Sequence, residues 1–375
     1  MLKLSSVAAL AAVSVASVAF AQSSYSPVAF GPLGATDPGT FYTFTNDISA
    51  DGQYVLATLN NGESRYITPG GTYRMSGTGF PVAISGDGQT VVGGQIGSNP
   101  QRWRLANAAG NNIASQNITW PGGPTAFGPG YGTNFDASVT TLLQPGVSVV
   151  GSFGRRTAQS DFSAVNIAGT AGAYRGNANN VPVVGILGSL PGNPTNAYRW
   201  NYSTGALSPL NLPAGASSIN VPTNNASISS DAGVMIGNVS TRPYWWDING
   251  NPHALGTLAG TTLNTVNAVN GTGTLAGGFA SFPLSVRHAF ITSLEDNTAY
   301  NLHVLASNAG ILPAGWTLTA TQQISDDGSR IFCLATDPTG VTRSVLLNGV
   351  FTVPSPSGLA MLGLAGLAAS RRRRA

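Results

Sequence analysis

Ile324-Ser325-Asp326-Asp327-Gly328, leading after two residues into the apolar Ile331-Phe332-Cys333, is the stretch on which the fold turns. An Asp-Gly pair between apolar runs tolerates the positive φ angles that a tight hairpin turn demands. The apolar run behind it suits a pleated, half-buried strand. The same order stands upstream: Ile48-Ser49-Ala50-Asp51-Gly52 precedes Tyr54-Val55-Leu56-Ala57, and Ile84-Ser85-Gly86-Asp87-Gly88 precedes Thr90-Val91-Val92-Gly93. Ile228-Ser229-Ser230-Asp231 leads into Val234-Met235-Ile236-Gly237, and a worn copy, Val269-Asn270-Gly271-Thr272-Gly273, leads into Leu275-Ala276-Gly277-Gly278. Val149-Val150-Gly151 and Val183-Val184-Gly185 repeat the strand without the Asp-Gly.

Indexed by the small residue in each strand (57, 93, 151, 185, 237, 278 and 333), the seven units lie 34 to 58 residues apart. Their mean spacing of 46 residues is about the length of one four-stranded propeller blade. The pattern predicts an all-β repeat protein, a seven-bladed β-propeller over residues 40–351, with 22–39 as an N-terminal segment.

Some distance after most of the turns comes a further strand with an aromatic residue. Arg102-Trp103, Ala197-Tyr198-Arg199-Trp200, Tyr244-Trp245-Trp246 and His288-Ala289-Phe290 are examples. Rings that recur at matched places are expected to pack in the core. Trp245 and Trp246 are neighbours on a strand and face opposite sides, so one of them is expected at the surface.

The run Leu255-Gly256-Thr257-Leu258-Ala259-Gly260, then Val266-Asn267-Ala268-Val269-Asn270, then His288-Ala289-Phe290 resembles the HAF-type bacterial extracellular repeat. The resemblance is closest over 255–291 and implies a secreted, propeller-like protein without an agreed activity.

The ends read differently from the middle. Residues 1–21 have a positive start at Lys3, an apolar run to Phe20 and small residues at Ala19 and Ala21 just before Gln22. This is the pattern of a cleaved secretory signal helix. Residues 353–375 begin Val353-Pro354-Ser355-Pro356, continue through an apolar stretch and finish Arg371-Arg372-Arg373-Arg374. Ser357 to Ser370 is shorter than the roughly 20 residues of a spanning helix, and the terminal arginines would stay on the cytoplasmic side. The ending resembles the PEP-CTERM sorting tail of exosortase substrates, with Ser355 where that motif carries glutamate. The resemblance implies a C-terminal apolar sorting helix, a transient partnership with the inner membrane and an exosortase-like enzyme, cleavage near Val353–Pro356, and a mature protein outside the cell or at its surface.

Charge follows the ends. The chain of 375 residues carries a formal +3, but of its 17 basic residues Lys3 and the four tail arginines lie in the removable segments. The rest is near −2 and has no basic stripe, so nucleic acid is not expected as a partner. Cys333 is the only cysteine, which excludes an internal disulfide; set in an apolar strand, it is expected to be buried and inert.

Chemistry is thinly signposted. His253, His288 and His303 are the only histidines and have no ligand spacing, so no metal site or cofactor is expected. Asp326-Asp327-Gly328 lacks the later oxygen ligands of a calcium loop. With Glu63 and Glu295 the only glutamates, and five of the twelve aspartates in the repeated turn, no carboxylate pair for glycoside hydrolysis stands out. Unrepeated charged residues, Arg155, Arg156, Asp161 and Glu295, are the remaining candidates, and no catalytic residue is assigned. The expected role is therefore a non-catalytic binding or structural one at the cell surface or matrix, with polysaccharide as the contact. The alternative is an extracellular carbohydrate-active hydrolase or lyase on the same scaffold.

Overall fold

Each legible copy of the turn is held by the same small hydrogen-bond set. The hydroxyls of Ser49, Ser85, Ser229 and Ser325 donate to Asp51, Asp87, Asp231 and Asp327, and accept the amides of Tyr54, Thr90, Val234 and Arg330, all within 2.6–3.0 Å. Each of these carboxylates also accepts the amide two residues further on. The glycine, not the aspartate, takes the left-handed conformation, at φ 66° for Gly52, 69° for Gly88 and 75° for Gly328. Ala232 holds that place at φ 58°, a conformation that disfavours an L side chain by about 1 kcal/mol. In the worn copy Asn270 replaces both serine and aspartate: its Oδ1 accepts the amides of Thr274 and Leu275, and its Nδ2 donates to the hydroxyls of Thr272 and Thr274.

A computed structural model describes residues 24–32, 47–58, 63–77, 80–94, 101–117, 130–133, 139–144, 150–157, 161–168, 183–187, 196–201, 204, 206–222 and 225–352. The molecule is all-β; among the described residues the only α-helix is the short Leu302–Asn308. The described strands fall into seven sheets, and each of the seven indexed small residues lies in a different one. The signal segment and the sorting tail, including Ala19, Ala21, Gln22, Val353 to Pro356 and Arg371 to Arg374, lie outside the described residues. Among those described, no helix is long and apolar enough to cross a membrane.

Within a sheet, neighbours in sequence pair antiparallel. Leu263–Val269, Leu275–Ser281, Arg287–Ser293 and Ala299–Asn301 follow one another across the sheet in that order. Two departures matter. Asn112–Ala114 leaves its own neighbourhood to pair parallel with Gly71–Ser76 on the first sheet, where Ile113 is fully buried. Ser24–Pro32 lies beside Thr342–Thr352, so the first described strand belongs to the same sheet as the last three.

The turns also bond to one another between sheets. Ser230 donates its amide to Gly271 at 2.8 Å, Thr272 to Asp326 at 3.2 Å, Asp326 to Ala50 at 2.8 Å and Ala50 to Gly86 at 2.9 Å. Buried rings fill the space between: Trp103, Trp200, Trp246, Phe290 and Phe332 are all 1% exposed or less. Trp245 faces the other side of its strand, half-buried and stacked on His253 at 4.1 Å, as the alternation requires. Cys333 is completely buried, and burial pushes its thiol up to about 12.

Arg199 is the exception among these apolar neighbours. Only 4% exposed, its guanidinium donates to the carbonyls of Ala232, Gly233 and Trp246 on the next sheet, at 2.9 to 3.3 Å. Burial lowers its pKa to about 10, opposed by the charges of Asp247 and Asp231.

Candidate functional site: a carboxylate-free cleft at the hairpin ends

Strand Met235–Val239 runs away from the Ser229–Val234 turn and reverses through Ser240-Thr241 into Arg242–Trp246. Ser240 supplies the left-handed residue, at φ 55°, that this two-residue hairpin needs. A second turn faces it: Ala216 donates to the Pro213 carbonyl at 3.0 Å, with Gly215 at φ 78° in the third position, where a type II turn requires it. Between the two lies a cleft of about 500 Å³ lined by Pro213–Ser218 and by Val239–Arg242 and Tyr244.

The lining has a distinct chemical character. Ser217, Ser218, Ser240 and Thr241 contribute hydroxyls, Arg242 a guanidinium and Tyr244 a phenol, with no carboxylate among them. Arg242 and Tyr244 are two apart on one strand and so share a face. Arg242 is exposed and forms no ion pair among the described residues. Tyr244 is half-buried, braced at 6.1 Å against Trp246. Trp246 is fixed in turn by donating its indole N–H to Asn211 at 2.8 Å. A cation set beside a firmly held phenol recognises an anion and can move a proton close to it.

The residues singled out in the sequence lie elsewhere. Arg155 and Arg156 sit in strand Val150–Thr157 opposite Ser163 and Phe162, and Asp161 is opposite Thr157. Glu295 is exposed in a turn of a different sheet. His253 Nε2 lies 3.5 Å from Asp247, whose carboxyl is held down at about 2, chiefly by the Asn251 amide.

His288 and His303 do meet, at 4.4 Å between ring centres. Burial lowers the pKa of both rings, and in His303 the neighbouring His288 adds to the effect.

Arg242 and Tyr244 were missed because Tyr244 reads as one more core aromatic. A signal was nevertheless present. Arg242, His288 and Arg343 each pair with the residue ten positions beyond the first residue of their turn, Val239, Ala280 and Ala335 respectively. Arg343 is tied to Asp337 at 2.6 Å, whereas Arg242 is left to the cleft.

No family model and no curated protein matches the chain. Among solved structures, the chain is similar to an oligogalacturonate lyase in complex with manganese, at a TM-score of 0.56 and 12% identity, over 89% of this chain and 98% of the other. This likeness supports a β-propeller-like all-β fold. It also corrects the expectation of a non-catalytic binding or structural role, because the solved protein of similar fold is a lyase.

The described residues do not fit a manganese centre. Among those described, no three His, Cys, Asp or Glu side chains come together to hold an ion. The one histidine pair has a ring nitrogen of each residue already occupied by a protein group.

Proposed function

We propose that this protein is an extracellular carbohydrate-active lyase that cleaves uronate-containing glycans in the Arg242–Tyr244 cleft. The scaffold in this reading is a closed seven-bladed propeller, supported by the seven sheets, by the turn-to-turn hydrogen bonds and by the placing of Ser24–Pro32 beside the last strands. Export rests on the signal-like residues 1–21, and release or surface attachment on the sorting-type ending at 353–375.

One observation carries the reaction class: the cleft pairs an unbridged arginine with a tyrosine and has no carboxylate. Hydrolysis of a glycoside uses two carboxyl groups. Elimination from a uronate needs something else. Arg242 binds the sugar carboxylate and stabilises the negative charge that spreads onto it as the adjacent C5–H is removed. The Tyr244 hydroxyl relays that proton: its oxygen accepts it while its own hydrogen passes to the departing oxygen; the C5 electron pair forms the C4–C5 double bond and the C4–O bond breaks. Atoms and charge balance with no further reactant.

Incubation with a panel of acidic and neutral polysaccharides tests this reading. The expected result is unsaturated products from uronate-containing chains only. New reducing ends without unsaturation would replace elimination by hydrolysis, and no turnover of any glycan would overturn the reading.

A further inference from the structure

The cleft has a neighbour on the next sheet. Its rim residue Thr241 accepts the amide of Asn264 at 3.4 Å, and close by Ser281 accepts the amide and the hydroxyl of Thr262 at 2.8 and 3.2 Å. Ser281 lies opposite Arg287, and Ala280 opposite His288. Cleft and histidine pair thus lie along one end of adjacent sheets, and His288 occupies the repeat position that Arg242 holds in the cleft.

The chemistry there suits a sugar. Arg287 is exposed, lies 4.1 Å over the Phe279 ring and forms no ion pair among the described residues. Phe282 packs its ring 5.3 Å from His288.

Both imidazoles have an assigned tautomer. Asn301 Oδ1 accepts the Val304 amide at 3.1 Å, so its Nδ2 must be the group that donates to His288 Nδ1 at 3.0 Å. His303 Nδ1 accepts the Leu318 amide at 3.4 Å. Each neutral ring therefore carries its hydrogen on Nε2, as a donor.

The connecting loop adds a contact surface. Phe282 and Val286 close it by a 2.8 Å bond, and its tip holds Leu284 at φ 66° and 96% exposed. A leucine kept both strained and wet is unusual unless something covers it.

We propose that Leu284 and Arg287, the guanidinium lying over the Phe279 ring, form a second glycan subsite, which binds a further acidic residue of the chain whose bond is cut in the Arg242–Tyr244 cleft. Packed sheets stand about 10 Å apart, more than one sugar ring, so a ligand touching both places is an oligomer. The substrate class is then an extended polyuronate, with the cleft as the reacting end of a longer track. This inference rests on the lyase reading of the cleft.

Calorimetric titration with defined oligogalacturonates of increasing length, on the full mature chain, separates the two claims. Affinity is expected to rise at least tenfold between the shortest oligomer bound and those long enough to reach Arg287, then to level off. Arg287→Gln and Leu284→Ser, both at exposed positions, should remove that rise, while Arg242→Ala weakens binding at every length. Length-independent affinity, or a rise untouched by Arg287→Gln and Leu284→Ser, overturns the second subsite and leaves the cleft standing. Indifference to Arg242→Ala, or no binding at any length, overturns both. Neutral oligosaccharides gaining equally with length would remove the role given to Arg287.

Discussion

Asp326 donates its backbone amide to the carbonyl of Ala50 at 2.8 Å, joining the last legible turn of the repeat to the first. The Arg330 guanidinium reinforces the junction by donating to the Gly52 carbonyl at 3.0 Å. Both bonds require the two ends of the folded region to be held together, and Ser24–Pro32 does this from the same sheet as Arg330.

Deletion of residues 22–39 should therefore be severe. It strips Tyr25, completely buried against the cluster that includes Val345 and Leu347, and bares the edge of Thr342–Thr352. The loss of one large buried ring alone is worth about 3–5 kcal/mol, and an open edge invites aggregation. Urea unfolding and light scattering of the truncated protein would check this.

Arg199→Met should destabilise by about 3 kcal/mol, since it leaves three carbonyls between sheets without their donor. Arg199→Lys is expected to restore little, because an ammonium cannot reproduce the planar fork. Chemical denaturation of both variants gives the comparison.

In the cleft, Arg242→Ala and Tyr244→Phe should each lower turnover of an acidic glycan by about 10² or more, with the melting temperature little changed. Single-turnover rates against the wild type measure the effect. A loss confined to KM would show that the residue binds substrate without assisting the chemistry.

Stability should fall on mild acidification. His288 and His303 have lowered folded-state pKa values, so the unfolded chain binds protons first as pH drops below about 6.5. The stability present at neutral pH is lost progressively from there down to the folded pKa. Protonating His288 also forces a hydrogen onto the nitrogen that accepts from Asn301. Denaturation midpoints between pH 8 and 5 should show the slope, and His303→Gln should flatten it. The Asp247 carboxyl is depressed to about 2, so its contribution stays intact across this window and fades only below the ordinary carboxylate range.

Cys333 should resist thiol reagents in the native state and react fully once the protein is unfolded. Its burial and its raised pKa both suppress the thiolate. Labelling rates with and without denaturant give the answer.

The repeat was legible because its turn is chemically demanding: a serine that donates and accepts, an aspartate that accepts twice and a left-handed glycine are all needed, and Ser85-Gly86-Asp87-Gly88 shows all three. Ala232 and Asn270 blur the motif without altering the geometry, since a short side chain tolerates the strained φ and an amide can take the place of two groups. The rings of Trp103 and Trp246 announced the core through their spacing. The cleft announced nothing comparable. Arg242 and Ser217 are 25 residues apart in sequence and meet only because two turns face one another. The mutual position of His288 and His303 likewise depends on Asn301, a helix-capping residue with no catalytic signature.

Tyr25 lies directly against Gly349, so the head and foot of the folded region are within easy reach of a short tether. The order of the chain is then largely a matter of where it is cut. A circular permutant that fuses these ends and opens the backbone between the exposed Ala259 and Gly260 should fold to the same architecture. Its new termini would lie away from Tyr25 and Gly349, which frees that edge for immobilisation.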